Sequence, residues 1–237
     1  MKQEVIENLA KVLLEGDTSA RMQAAYNLLS MSLPYSNKII IQVLGQARSG
    51  KDWTSYKLQE AFKARGVSAE VMSYAAPMKR IATKLFGISL EQLDDFKNRS
   101  DKVSIEVYDN ENILDKTSPS FQLETNFRTF LQRLGNDAIK PEFGDDVWAQ
   151  LALKNIKEST SNVIIMSDCR FNVELNAIGG ITVRVNNHSL PAPMNHPSEL
   201  ELREHTAMYN LDNTNYRLTD DEITDLVKRI LHDRTNS

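Results

Sequence analysis

The residues Gly45-Gln46-Ala47-Arg48-Ser49-Gly50-Lys51-Asp52 carry the most specific chemistry in this chain. Gly-x-x-x-x-Gly-Lys, set between a predicted strand and a predicted helix, is the Walker A pattern of phosphate-binding loops. Glycines let the backbone wrap an anion, and successive N–H groups turn inward as a nest. The helix start adds its dipole, and the lysine reaches the outer phosphates. The nucleotide-binding candidates are therefore Gly45, Arg48, Ser49, Gly50, Lys51, Asp52 and the adjoining Trp53. Asp52 stands where Ser or Thr normally ligates magnesium. A carboxylate is also a hard oxygen ligand, directly or through water. Alternatively Asp52 only caps the helix start, and the sequence leaves both roles open.

A second acid, Asp168, ends a predicted strand, where it would face the same crevice as the loop. It could hold a magnesium shell or orient an acceptor oxygen. Phosphoryl transfer also needs cations to meet the charge of the transition state. Lys79, Lys97, Arg128, Arg133, Lys140, Arg170 and Arg203 are the candidates, with Arg170 favoured by lying two residues past Asp168. Arg128 and Gln132 are one helical turn apart and share a face that could bind a phosphate and a base together. The four histidines lack metal-ligand spacing, and no nucleophile–base pair is evident.

These residues need a scaffold, and the periodicity supplies one. From Lys38 onward, strands alternate with helices, the signature of a parallel sheet. Strands are expected at 38–44, 71–74, 162–168, 181–185 and 215–218, with helices over 51–65, after Pro77 and over 219–232. Residues 98–125 are polar with weak periodicity, and Asn186–Arg203 contains three prolines. Both stretches, taken as 98–125 and 186–204, read as mobile lid or substrate loops. Upstream, apolar residues at helical spacing, a stop at Gly16 and a close at Pro34 predict a helical hairpin. The resulting division is a helical extension over 1–36 and one catalytic domain over 37–237.

Composition excludes several other classes. Hydrophobic residues make up 41% and charged residues 25% of the 237-residue chain, ordinary values for a folded domain. A net charge of −4 offers no global basic field for a nucleic-acid polymer or an anionic membrane. One cysteine, Cys169, permits neither an internal disulfide nor a Cys-rich zinc site, which fits a reducing cytoplasm. No apolar run approaches the roughly 20 residues of a membrane span, and Met1-Lys2-Gln3-Glu4 lacks a secretory layout. A soluble, unprocessed cytoplasmic protein is the expectation.

Five segments, in order, resemble the bacteriophage deoxynucleoside monophosphate kinases: Gly45–Asp52, Tyr74-Ala-Ala-Pro-Met-Lys79, Arg128-Thr-Phe-Leu-Gln-Arg-Leu-Gly135, Asp168-Cys-Arg-Phe171 and His196-Pro-Ser-Glu199. The resemblance spans about residues 38–232 and extends to the Gly-Lys-Asp ending. It implies a three-layer α/β P-loop NTPase fold with a five-stranded parallel sheet, nucleoside-monophosphate-kinase-like. It further implies ATP with Mg2+ as donor and a deoxynucleoside monophosphate as acceptor. Lys51 would stabilise the transferred group, Asp52 and Asp168 would organise magnesium, and Arg170 would clamp phosphate. The acceptor would be met by the 76–79 turn with Lys79, by Arg128 and Gln132, and by the stretch through Lys140 to Trp148. His196, Ser198 and Glu199 would belong to a closing loop. The resemblance, with the hairpin, also admits a homodimer, and the compartment would be the host bacterial cytoplasm if the chain is phage-encoded.

Two positions depart from the family pattern. Trp53 stands where threonine usually follows Gly-Lys-Asp, and Lys140 stands where an arginine is expected. Two alternatives stay open. Animal-type phosphomevalonate kinases share a Ser-Gly-Lys-Asp-aromatic loop and a strand-end Ser-Asp-x-Arg like Ser167–Arg170. A nucleotide-binding protein that no longer transfers phosphate would keep the loop as well.

Overall fold

The computed structural model describes residues 38–98, 102–107, 121–191 and 197–235; the expected hairpin over 1–36 lies outside them. Residues 37–237, read from the sequence as one domain, hold two compact units, divided after Tyr74 and again before Trp148.

The first unit is built on five parallel strands: β1 (Ile39–Leu44), β2 (Ala69–Met72), β5 (Val163–Met166), β6 (Ile181–Asn186) and β7 (Tyr209–Asp212), in the order β2-β5-β1-β6-β7. Every residue of β1 is buried, as a central strand covered on both faces requires. Ile39, Ile41 and Val43 pack with Leu58 and Phe62 of helix α1 (Lys51–Lys63) and with Ile223, Leu226 and Ile230 of α9 (Asp220–Thr235). The alternate residues Ile40 and Leu44 pack with Ala149, Ala152 and Ile156 of α6 (Val147–Glu158) and with Leu175 and Ile178 of α7 (Asn172–Ile178). Helices therefore cover both faces, giving three layers. The chain leaves β1 toward β2 on one side and later adds β6 on the other. The carboxyl end of β1 thus lies at the switch point, where open α/β sheets place their ligands.

One strand differs from expectation. The fifth is Tyr209–Asp212, which pairs with β6 (Val185 opposite Leu211), and residues 214–216 form a 3-10 turn. Leu211 carries the strand's burial, whereas Asn215 and Tyr216 have φ of 56° and 59°, a left-handed backbone that no strand accommodates. Asn213, Thr214 and Asn215 are turn formers, and that signal outweighs the apolar ending of 215–218.

The second unit begins with α2 (Ala76–Phe86), which has Pro77 in its first turn as expected and Gly87 as a left-handed stop. Helix α3 (Leu90–Asn98) follows. Within and at the end of the 98–125 stretch, expected to be a lid or substrate loop, β3 (Lys102–Val107) pairs with β4 (Phe121–Asn126) as an antiparallel ribbon, Ile105 opposite Leu123. Lys-Val-Ser-Ile-Glu-Val alternates polar and apolar, a period-two signal that the polar composition of the whole stretch obscures. Helix α4 (Phe127–Gln132) is capped by Asn126, whose side-chain Oδ1 accepts from Thr129 N at 2.8 Å. It runs into a π-helical segment over Arg133–Ile139 and then α5 (Lys140–Phe143). The core is aromatic: Phe86 meets Phe127 and Phe130 edge-on at 4.9 and 5.1 Å, and Phe96 stacks on Phe127 at 5.5 Å.

Candidate functional site

The loop after β1 is curled, for reasons that can be read residue by residue. Gly45 has φ of 146°, and a Cβ there would lie 2.5 Å from Val185 O and 2.8 Å from Ser49 Oγ, so only glycine fits. Ser49 N donates to Gln46 O at 3.1 Å, closing a tight turn. Arg48 and Gly50 take left-handed φ values of 66° and 98°, and a non-glycine residue there stores strain of a kind concentrated at functional sites. Gly50 is the N-cap of α1, and no side chain caps that helix. The N-terminus of α1, the positive end of its dipole, opens directly out of this loop.

Lys51 is 6% exposed and its Nζ donates to Gln46 O at 2.7 Å, so the ammonium lies across the loop. Ser49 Oγ is fully buried and has no hydrogen-bond partner. Asp52 sits in the first turn of α1 with its side chain exposed, and the exposed Trp53 has the Lys57 ammonium 5.8 Å from its ring centroid. Two neighbouring segments grip the loop: Gln46 Nε2 donates to Pro191 O at 2.7 Å, and Tyr216 OH donates to Arg48 O at 3.2 Å.

Asp168 follows the end of β5 and is held by the segment that leaves β2. Its two oxygens accept from Ser73 Oγ at 2.6 Å and from Tyr74 N at 2.8 Å. Tyr74 is itself 2% exposed, and its hydroxyl donates to Gln42 Oε1 at 2.8 Å. Gln42, wholly buried in the central strand, donates its amide to Gly179 O at 2.7 Å. A polar chain therefore runs from the middle of β1 to Asp168. Beyond it, buried Glu174 accepts from the backbone N–H groups of Arg170 and Phe171 at 2.8 and 3.1 Å, which shapes the turn that carries half-buried Arg170. Burial pushes the Cys169 thiol well up, and the nearby Glu174 and Asp168 charges push it further. It stays protonated near neutral pH and is no nucleophile.

The other candidates of the first unit fall elsewhere. Trp148 is buried at the start of α6, at 7% exposure, and Glu199 lies in the short helix α8 (Pro197–Leu200). Arg203 is an exposed surface charge 3.7 Å from Glu204. Arg184, on β6, donates to Leu202 O at 2.6 Å and His205 O at 2.7 Å, which ties that part of the 186–204 stretch to the sheet. Burial, then the Arg184 charge, lowers the His205 imidazole below its ordinary value, so it is neutral at neutral pH.

In the second unit, Lys79 of α2 is paired with Asp94 of α3 at 2.7 Å. Arg128 and Gln132 both lie on α4 and are half-buried, as is Lys140 at the start of α5. Lys97 lies in the last turn of α3, and Arg133 opens the π segment with its side chain exposed.

No protein-family model matches the chain, and no curated protein matches it. The site therefore rests on its own geometry.

A triphosphate end fits that geometry: the loop is wound with left-handed turns, the helix start is uncapped, and an unpartnered hydroxyl is buried beside a lysine. Among the described residues no three His, Cys, Asp or Glu side chains cluster to bind a metal. Magnesium bound with a nucleotide takes only one or two carboxylates, the rest being phosphate oxygens and water. Asp52 and Asp168 supply ligands of that type. The residues that motif spacing does not reveal are the supports: Gln42, Ser73, Tyr74, Glu174 and Asn213. The one available signal is a glutamine in an otherwise apolar strand, which must find buried partners.

Proposed function

We propose that this chain is a phosphotransferase that moves the terminal phosphoryl group of ATP directly onto a deoxynucleoside monophosphate, giving the diphosphate. The observation that carries the reading is the curled 45–51 loop ahead of an uncapped helix, with the Lys51 ammonium folded across it. Its place at the carboxyl end of the central strand, in a parallel sheet ordered β2-β5-β1-β6-β7, supports a P-loop NTPase fold of the nucleoside-monophosphate-kinase type.

In this reading backbone N–H groups of the loop, Gly50's among them, bind the β- and γ-phosphates, and Lys51 exchanges its loop carbonyl for phosphate oxygen. Asp52 and Asp168 would hold magnesium, which neutralises charge on the phosphate oxygens when bound. Arg170, on the turn shaped by Glu174, meets the charge that spreads in the transition state. Arg128 and Gln132 recognise the acceptor, the first through its phosphate and the second through its base. No covalent enzyme intermediate is required; positioning and electrostatics supply the rate.

A coupled ADP-release screen across the common dNMPs and NMPs tests this. Acceptor-dependent ADP release is expected with at least one dNMP. Release driven by phosphomevalonate and by no dNMP would move the acceptor to a different class, and ATP binding without any turnover would remove the enzyme reading.

A further inference from the structure

Besides the contacts to Pro191 and Tyr216, the phosphate loop is held from outside by a buried side chain that the motif does not contain. Asn213, in the turn after β7, is 3% exposed and uses all of its hydrogen-bonding groups. Its backbone N donates to Asn186 O at 2.7 Å, and its backbone O accepts from Tyr216 N at 2.8 Å. Its side-chain Oδ1 accepts from Leu218 N at 3.1 Å, which fixes which way the amide faces. The remaining group, Nδ2, donates to Ser49 O at 2.8 Å.

That last bond determines where the loop's own donor points. No peptide bond in the described chain is cis. In a trans peptide the carbonyl oxygen and the following N–H project to opposite sides. Holding Ser49 O against Asn213 therefore directs the Gly50 N–H the other way. The packing is close enough that a Cβ on Gly50 would collide with Asn213 Nδ2. The second glycine of the motif is thus required by this contact as well as by its φ of 98°. Ser49 is completely buried, so its carbonyl is shielded from solvent and loss of the amide leaves it short of a partner.

We infer that Asn213 is a positioning residue for phosphate binding: by anchoring Ser49 O it presents the Gly50 N–H to the terminal phosphates of the nucleotide. This rests on the proposed reading of the loop as the ATP site. Asn213→Asp makes the most discriminating variant. It is isosteric and keeps an oxygen for Leu218 N, so the turn survives, yet it replaces the donor to Ser49 O with a second acceptor. Asn213→Ala removes the donor without adding charge.

The test is calorimetric titration of the full chain and both variants with ATP and with inorganic pyrophosphate, which reports on the loop alone. Both variants should bind each probe about tenfold to a hundredfold more weakly, as expected when a buried carbonyl loses its partner. For Asn213→Asp the loss should persist in 0.5 M salt, where through-space repulsion is screened. Steady-state KM should rise for ATP and stay unchanged for the acceptor, a split that general destabilisation would not give. Wild-type affinity for pyrophosphate in both variants would overturn the inference and leave the kinase reading standing. Failure of the unmodified chain to bind either probe would overturn both together.

Discussion

In the proposed reading, the two units serve recognition by different means. In the first, the atoms aimed at a ligand are mainly backbone groups, set by left-handed turns and by the N-terminus of α1, with side chains such as Gln42 and Asn213 acting as struts. In the second, the candidates are side chains on short helices over an aromatic core, with a π segment immediately after Gln132. A backbone cup recognises what nucleoside triphosphates share, a polyphosphate, and tolerates little variation. Side chains on an irregular helix recognise what distinguishes acceptors and can be exchanged. π segments are found disproportionately at functional sites, where the extra residue re-aims the side chains downstream of it.

Variants in each unit should separate these roles. Lys51→Ala should lower turnover by about a hundredfold or more with every acceptor, while the fold survives; wild-type turnover in that variant would remove the loop from the chemistry. Asp168→Asn is isosteric and can keep the bond from Tyr74 N, while it removes the charge and the acceptor for Ser73 Oγ. It should lower kcat about tenfold to a hundredfold and raise the magnesium needed for half-maximal rate. An unchanged magnesium requirement would confine Asp168 to bracing the turn. Arg128→Ala should cost about tenfold in acceptor kcat/KM, the scale of one charge-assisted hydrogen bond, with ATP affinity intact. If ATP affinity falls as well, the division of labour between the units is wrong. The smallest effect belongs to Gln42→Leu, which leaves Tyr74 OH without its side-chain acceptor but keeps the strand apolar. A severalfold fall in kcat is expected, since Asp168 loses a support at one remove, with a melting temperature lower by about a few degrees because Leu175 O and Gly179 O lose the Gln42 amide.

How much of this is legible in the sequence depends on the distance over which each feature is encoded. The loop, its flanking strand and its helix lie within residues 39–63 and are readable, because glycine spacing and periodicity are local. Asp168 is readable as an acid at a strand's end. Asn213 is not: its bond to Ser49 spans 164 residues of chain, and only the folded sheet brings the two together. The same limit hides the Gln42–Tyr74–Asp168 chain. Placing the last strand at 215–218 gives Tyr216 and Leu218 more weight than the turn formers before them, and the turn formers win. The ribbon of 102–107 and 121–126 escapes a periodicity reading because its two halves are separated by polar sequence. The π segment leaves no periodic trace, since it differs from an α-helix by one inserted residue.

The most direct measurement is a 31P NMR time course of the full chain with ATP, magnesium and an accepted dNMP. Direct transfer predicts deoxynucleoside diphosphate and ADP appearing in equal amounts, with no orthophosphate beyond the uncatalysed background. Orthophosphate in place of the diphosphate, or ATP left unconsumed with every dNMP, would contradict phosphoryl transfer by the 45–51 loop.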